Sequence, residues 1–172
     1  MDQHDTPVAI GRYNEDRTIY QKSALFTSAK EPRTVHLGID LFVQSGVRVL
    51  APLDSTVHSF QNNNNDGDYG PTIILQHDFN DLTFYTLYGH LTLDSIESMD
   101  SGQFIPAGRP FAKVGDFPVN GNWPPHLHFQ IITDMQGHWG DFPGVAATAD
   151  RSRLLERCPD PNLILGISEP DL

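Results

Sequence analysis

The shortness of its apolar runs constrains this chain more than any other feature. From residue 34 onward they come as Val35–Val43, Val47–Ala51, Ser55–Phe60, Thr72–His77, Phe84–Leu91, Pro110–Val114 and Leu127–Thr133, rich in β-branched and aromatic residues. Between them stand Ser45-Gly46, Gly70-Pro71, Asn80-Asp81, Ser101-Gly102, Ala107-Gly108 and Asn120-Gly121, residue types that supply turn geometry. The run Asn62–Asn65, continued by Asp66-Gly67-Asp68, reads as a loop. Only Ala149–Arg157 has helical credentials, with Asp150 near its start and Pro159 beyond its end; a shorter helical turn fits Leu93–Met99. Many short strands at close spacing predict an all-β domain, an antiparallel sandwich or barrel with one short C-terminal helix.

At 172 residues the chain suits one domain with a real core. Residues 1–33 are polar with scattered apolar positions and read as an N-terminal arm with short strands; residues 34–172 form the β domain. Acidic residues outnumber basic ones 22 to 11, and the formal charge of -11 argues against broad electrostatic binding of nucleic acid or an anionic membrane. The sole cysteine, Cys158, rules out an internal disulfide and reads as structural. The acidic start Met-Asp-Gln-His-Asp is not a secretory signal, and no stretch is long and apolar enough for membrane insertion, so a cytoplasmic location is expected.

The spacing of the histidines is the chemical signal. His36 and Asp40 lie four apart, and His126 and His128 two apart. On a strand, even separations share a face, so both pairs can converge on one side of a sheet while Leu37, Ile39 and Leu127 point away. A helix aligns the first pair but not the second, because positions two apart diverge by roughly 200°. Two imidazoles and a carboxylate suit a catalytic zinc, leaving a position for a water acidified toward neutrality. His90, on the strand with Phe84, Thr86 and Tyr88 on its face, is a further candidate for proton handling. His77 reads as structural, and His4, His58 and His138 as surface residues without partners at useful spacing. The pairs Asp66/Asp68 and Asp78/Asp81 lack calcium-loop spacing and read as solvated turns.

Four motifs in order resemble the lysostaphin-type zinc metallopeptidases: His36-Leu-Gly-Ile-Asp40, Tyr88-Gly-His90-Leu91, Gly102-Gln-Phe-Ile-Pro-Ala-Gly108 and His126-Leu-His128-Phe129. The segment Val47-Arg-Val-Leu-Ala-Pro52, leading to Thr56-Val57, matches a strand pair of the same family. The resemblance implies a duplicated-hybrid-motif fold, one Zn2+ held by His36, Asp40 and His128, and His90 and His126 as catalytic histidines that do not bind the metal. Trp123, Tyr88 and Asn120 are the expected substrate contacts. Two departures stand out. The loop Asp116–Pro125 is bulkier than the Gly/Ser/Thr-rich loop of cell-wall members, and Gln130 stands where many members carry Glu. Gln130 shares a face with His126 and His128 and could orient one of them.

The segments Gly140-Asp-Phe-Pro-Gly-Val-Ala and Cys158-Pro-Asp-Pro-Asn-Leu-Ile-Leu-Gly166 resemble the domain that adjoins class III aminotransferases in large fused proteins. That implies fusion or association with an aminotransferase-type enzyme. The expected function is zinc-dependent hydrolysis of a peptide or small amide. The alternative is a non-catalytic module that keeps the metal for binding or docking; the presence of both non-ligand histidines favours catalysis.

Overall fold

A computed structural model describes residues 8–18, 20, 24–27 and 31–168. His4 lies outside the described residues. The strands are β1 (Ala9–Gly11), β2 (Arg33–His36), β3 (Ile39–Phe42), β4 (Arg48–Leu50), β5 (Ser55–Asn63), β6 (Gly70–Phe79), β7 (Leu82–Gly89), β8 (Phe104–Ile105), β9 (Pro110–Lys113), β10 (Leu127–Ile132) and β11 (Val145–Ala147). Short helices are α1 (Ala24–Thr27), α2 (Leu93–Glu97), α3 (Arg151–Arg157) and α4 (Asn162–Leu165). The all-β antiparallel expectation holds: seven strands form one sheet in the order β1-β3-β10-β7-β6-β5-β8, with the pairs β2–β11 and β4–β9 beside it.

The central strands are covered on both faces, which is why they read as nearly unbroken apolar runs. Side chains alternate between two cores. On one face Ile73, Leu75, Tyr88, Leu127 and Phe129 pack with Val49, Phe111 and Ala112 of the β4–β9 pair. On the other, Ile74, Leu87 and Ile132 pack with Val35, Leu37, Leu154 and Cys158. On β10 the even positions His128 and Gln130 therefore point into the second face.

Four expectations need correction. Val35–Val43 is not one strand: the chain leaves the β2–β11 pair at Leu37-Gly38 and enters the large sheet as β3. Asn62 and Asn63 belong to β5 instead of a loop; buried Asn63 donates to Thr72 Oγ1 and to the Gly140 carbonyl, which satisfies its amide inside the fold. His90 does not share a face with Tyr88. It sits just past the end of β7 with φ of 62°, and this left-handed residue turns its ring onto the opposite face. Finally, β8 and β11 were not expected, because two or three residues carry no measurable period, whereas β1 falls in the arm expected to hold short strands.

Leu87, fully buried beneath the site face, is expected to cost about 2–5 kcal/mol when cut to Ala. Leu163→Ala, at a position 77% exposed, should stay within about 0.5 kcal/mol of the parent. Urea unfolding followed by circular dichroism separates the two; equal losses would contradict the core assignment.

Candidate metal centre

Three neighbouring segments bring the ligand-type residues together. Asp40 on β3 is the direct register partner of His128 on β10, so a carboxylate and an imidazole share one face. His36 reaches the same point from the end of β2 after the bend at Gly38. The bend needs glycine for space: a Cβ at residue 38 would lie 2.6 Å from the His128 ring. His36 Nε2, Asp40 Oδ1 and His128 Nδ1 form a nearly equilateral triangle, with separations of 3.1, 3.1 and 3.2 Å. A tetrahedral ion bound at 2.0–2.1 Å requires ligand atoms about 3.3 Å apart. No other group of three potential ligands is close enough to hold a metal ion among the described residues.

The outer hydrogen bonds fix which nitrogen of each ring faces inward. His36 Nδ1 donates to the Arg12 carbonyl at 2.9 Å, so its Nε2 carries the free lone pair. His128 Nε2 donates to Gln130 Oε1 at 3.0 Å, leaving Nδ1 toward the centre. His126 Nδ1 donates to the Pro124 carbonyl at 2.7 Å and His90 Nδ1 to the Asn120 carbonyl at 2.8 Å. Two nitrogen lone pairs and a carboxylate oxygen thus converge at hydrogen-bond distance without a proton to share. A cation relieves that repulsion, and the donor set is that of a zinc site.

His90 and His126 flank the triangle, their ring centroids 4.1 Å apart. His126 Nε2 is 3.9 Å from Asp40 Oδ1. Burial, reinforced by the His126 ring, pushes His90 well below the ordinary imidazole range. Burial also lowers His126 and His128, with Asp40 opposing in both cases. Burial disfavours ionised Asp40, yet the imidazoles of His36 and His128 outweigh it and hold the carboxyl well below its usual range. At neutral pH the rings of His90, His126 and His128 are therefore neutral and the acid ionised, the protonation state that metal binding needs.

Gln130 explains its own identity. Its Oε1 accepts from His128 while its Nε2 donates to the Pro143 carbonyl at 3.1 Å and to Cys158 Sγ at 3.3 Å. An amide can do both; a carboxylate facing Pro143 could not. Burial pushes the Cys158 thiol up to about 11, so it remains a thiol, a structural neighbour of Gln130.

The centre opens into a cavity of about 430 Å3. Trp123 lines it, edge-on to Tyr20, His90 and His126. Two of the expected substrate contacts are not at its surface. Tyr88 is 2% exposed and packs on Phe111 and Phe129 in the other core, because strand alternation sends it away from the ligands. Asn120 is fully buried; its side chain holds the Trp123 backbone. His77 is buried against Thr86 and the Asp54 carbonyl on the Tyr88 face, and half-buried His58 bonds Ser59. His138, expected merely at the surface, lines the cavity and meets Phe142 edge-on.

Sequence reasoning missed Arg17, Tyr20 and Tyr69. Arg17 Nη1 donates to Asp40 Oδ2 at 2.6 Å, and Tyr69 Oη lies 3.4 Å from His128 Nε2. No periodic pattern surrounds either residue, so nothing local marked them.

A model of peptidase family M23 matches residues 34–138, more than half of the chain. Among solved structures, the catalytic domain of the antimicrobial peptidase lysostaphin from Staphylococcus simulans aligns with a TM-score of 0.55 at 19% identity, covering 86% of this chain and 92% of that one. A mutant catalytic domain of the prophage-encoded M23 protein EnpA from Enterococcus faecalis aligns at 0.52 and 18%, covering 78% and 87%. A zinc containing peptidase from Vibrio cholerae aligns at 0.52 and 21%, covering 74% and 34%. At these identities the structural likeness is one of fold. No curated protein matches the sequence.

Gln130→Leu removes the acceptor that orients His128 and is expected to weaken zinc binding roughly 10–100-fold, measured by chelator competition. Gln130→Glu should not restore it, and should cost about 1–3 kcal/mol of stability, because a carboxylate would face the Pro143 carbonyl. A Glu variant of parental stability would contradict this reading.

Proposed function

We propose that this chain, which belongs to peptidase family M23, is a metalloendopeptidase-type hydrolase of peptide or other small amide bonds, with zinc at His36, Asp40 and His128. The observation that carries the reading is the triangle of ligand-type atoms, 3.1–3.2 Å on a side, with two further histidines beside it: His126 Nε2 3.9 Å from Asp40 Oδ1 and the His90 ring 6.3 Å from that of His128. The zinc containing peptidase among the similar structures supports the choice of metal.

When bound, zinc supplies Lewis acidity, lowering the pKa of a water toward neutrality and polarising a carbonyl oxygen. The rest falls to the chain's own groups. Asp40 and the rings of His36 and His128 hold the ligand atoms in place through the outer hydrogen bonds described above. His126 Nε2 and His90 Nε2 are unprotonated at rest, because each ring donates through Nδ1 to a backbone carbonyl. One accepts a proton from the attacking water, becoming an imidazolium, and can return that same proton to the nitrogen of the cleaved amide; the other stands beside it as a second neutral imidazole. Asp40 near His126 favours an imidazolium there. Trp123 and Tyr20 form an aromatic wall that excludes bulk water on one side.

The substrate reading rests on the cavity. A space of about 430 Å3 suits a short peptide or small amide. Much of its wall lies outside residues 34–138: Glu15, Arg17, Tyr20 and Phe26 ahead of that span and Asp141–Val145 after it, with Val145 packed against Tyr20 and Phe26. Asp141–Val145 falls in a segment resembling the domain that adjoins class III aminotransferases, which supports a cytoplasmic metabolic setting and association with such an enzyme. A docking module would keep the metal but not need the flanking histidines.

Purified protein is expected to hold about one equivalent of zinc by plasma emission spectrometry, and His128→Ala to lose it. On a panel of glycine-containing and D-amino-acid peptides, His90→Ala and His126→Ala should each lower kcat by about 10²–10⁴ with zinc retained. Full zinc content with no turnover on any amide would favour docking. Because both flanking rings are lowered from the ordinary value of about 6.5, the neutral bases persist on acidification. The acidic limb of kcat/KM should therefore fall below pH ~6.5; a limb above that value would contradict their role.

A further inference from the structure

Residues ahead of the M23 match supply the outer contacts to two of the three ligands. Strand β1 pairs with β3 so that Gly11 stands opposite Asp40. The approach is close: a Cβ on Gly11 would lie 2.5 Å from Arg17 Nη2 and 3.0 Å from Asp40 Oδ2. The next residue, Arg12, gives its carbonyl to His36 Nδ1. The chain then turns back and delivers Arg17, whose side chain is only 14% exposed. All three guanidinium nitrogens are used: Nε on Glu15 Oε2 at 2.8 Å, Nη2 on the Arg12 carbonyl at 3.2 Å, and Nη1 on both Tyr20 Oη at 3.1 Å and Asp40 Oδ2 at 2.6 Å.

Asp40 thus has its oxygens divided. Oδ1 faces the two ligand imidazoles at 3.1 and 3.2 Å, and Oδ2 faces Arg17. A carboxylate with both oxygens free can bind a metal through either or both. We propose that Arg17 is a positioning residue of the metal centre: by occupying Oδ2 it confines Asp40 to single-oxygen ligation through Oδ1 and so keeps three protein donors around the ion. The proposal rests on the metal reading of the site. The guanidinium also draws charge from the carboxylate, which makes Asp40 a weaker donor and leaves the ion a stronger Lewis acid. Lysine offers one compact ammonium and cannot hold the same four acceptors in a plane.

Cobalt(II) in place of zinc reports coordination number directly through its visible absorption, which is more intense for four-coordinate than for five-coordinate sites. The parent is expected to show the intense four-coordinate spectrum. Arg17→Met should show a weaker, five-coordinate spectrum and a zinc affinity altered about 10-fold or more in chelator competition. Arg17→Lys should fall between, and millimolar guanidinium added to Arg17→Ala should return the parental spectrum. Circular dichroism of the metal-free proteins checks the fold, and Arg17→Gln carries the same measurement if the Met variant unfolds. A purely structural role would lower stability without changing the spectrum of the folded fraction. A parent that binds cobalt, with Arg17 variants of identical spectrum and zinc affinity, overturns the proposal alone. A parent that takes up no metal overturns the reading of the site together with it.

Discussion

The register between β3 and β10 is the constraint on which everything else depends. It sets Asp40 against His128 in direct register, and a slip of β10 by one residue would send the His128 side chain into the opposite, apolar core. Packing holds both strands: on β10 Leu127 and Phe129 pack in one core and Ile132 in the other, and Leu41 of β3 packs against the first. The hydrophobic pattern thus does the chemical positioning. Asp40 and His128 occupy places that the apolar residues on either side have already assigned.

Around that register the protein builds a shell of hydrogen bonds that is mostly backbone. Arg12, Pro124 and Asn120 act on His36, His126 and His90 through carbonyl groups, which any residue at those positions would offer. Their identities matter less than the path of the chain. Gln130 is the exception, because only an amide reconciles His128 with the Pro143 carbonyl and Cys158. Neutral rings at His90, His126 and His128, and an ionised Asp40, follow from burial combined with these contacts.

The long central strands and the inward face of His128 were legible because period and face are local properties of a sequence; His36 and Asp40 come from two different sheets, and their meeting depends on the bend at Gly38, which no strand period records. The site's other half was not. His90 reaches the cavity through one left-handed residue, which reverses the face that alternation assigns. Tyr88, still within β7, obeys the alternation that His90 breaks and goes to the core. Arg17 and Tyr69 meet the ligands through pairings between distant segments, and no spacing within a polar arm or a Gly-Pro turn records them. Asn120 was visible as a turn residue, but its two jobs, a carbonyl for His90 and an amide for Trp123, exist only once the loop is folded.

His36 and His128 stand 92 positions apart along the chain, yet their nitrogens lie 3.1 Å from one another. An ion bridging them ties together a loop that contains most of the large sheet, and it does so only in the native arrangement. Its contribution to conformational stability therefore grows with the logarithm of free metal concentration relative to the dissociation constant. With zinc at the proposed site, resistance to heat and proteolysis would be a property shared with the surroundings: plentiful metal would fasten the sheet, and a strong chelator would loosen it.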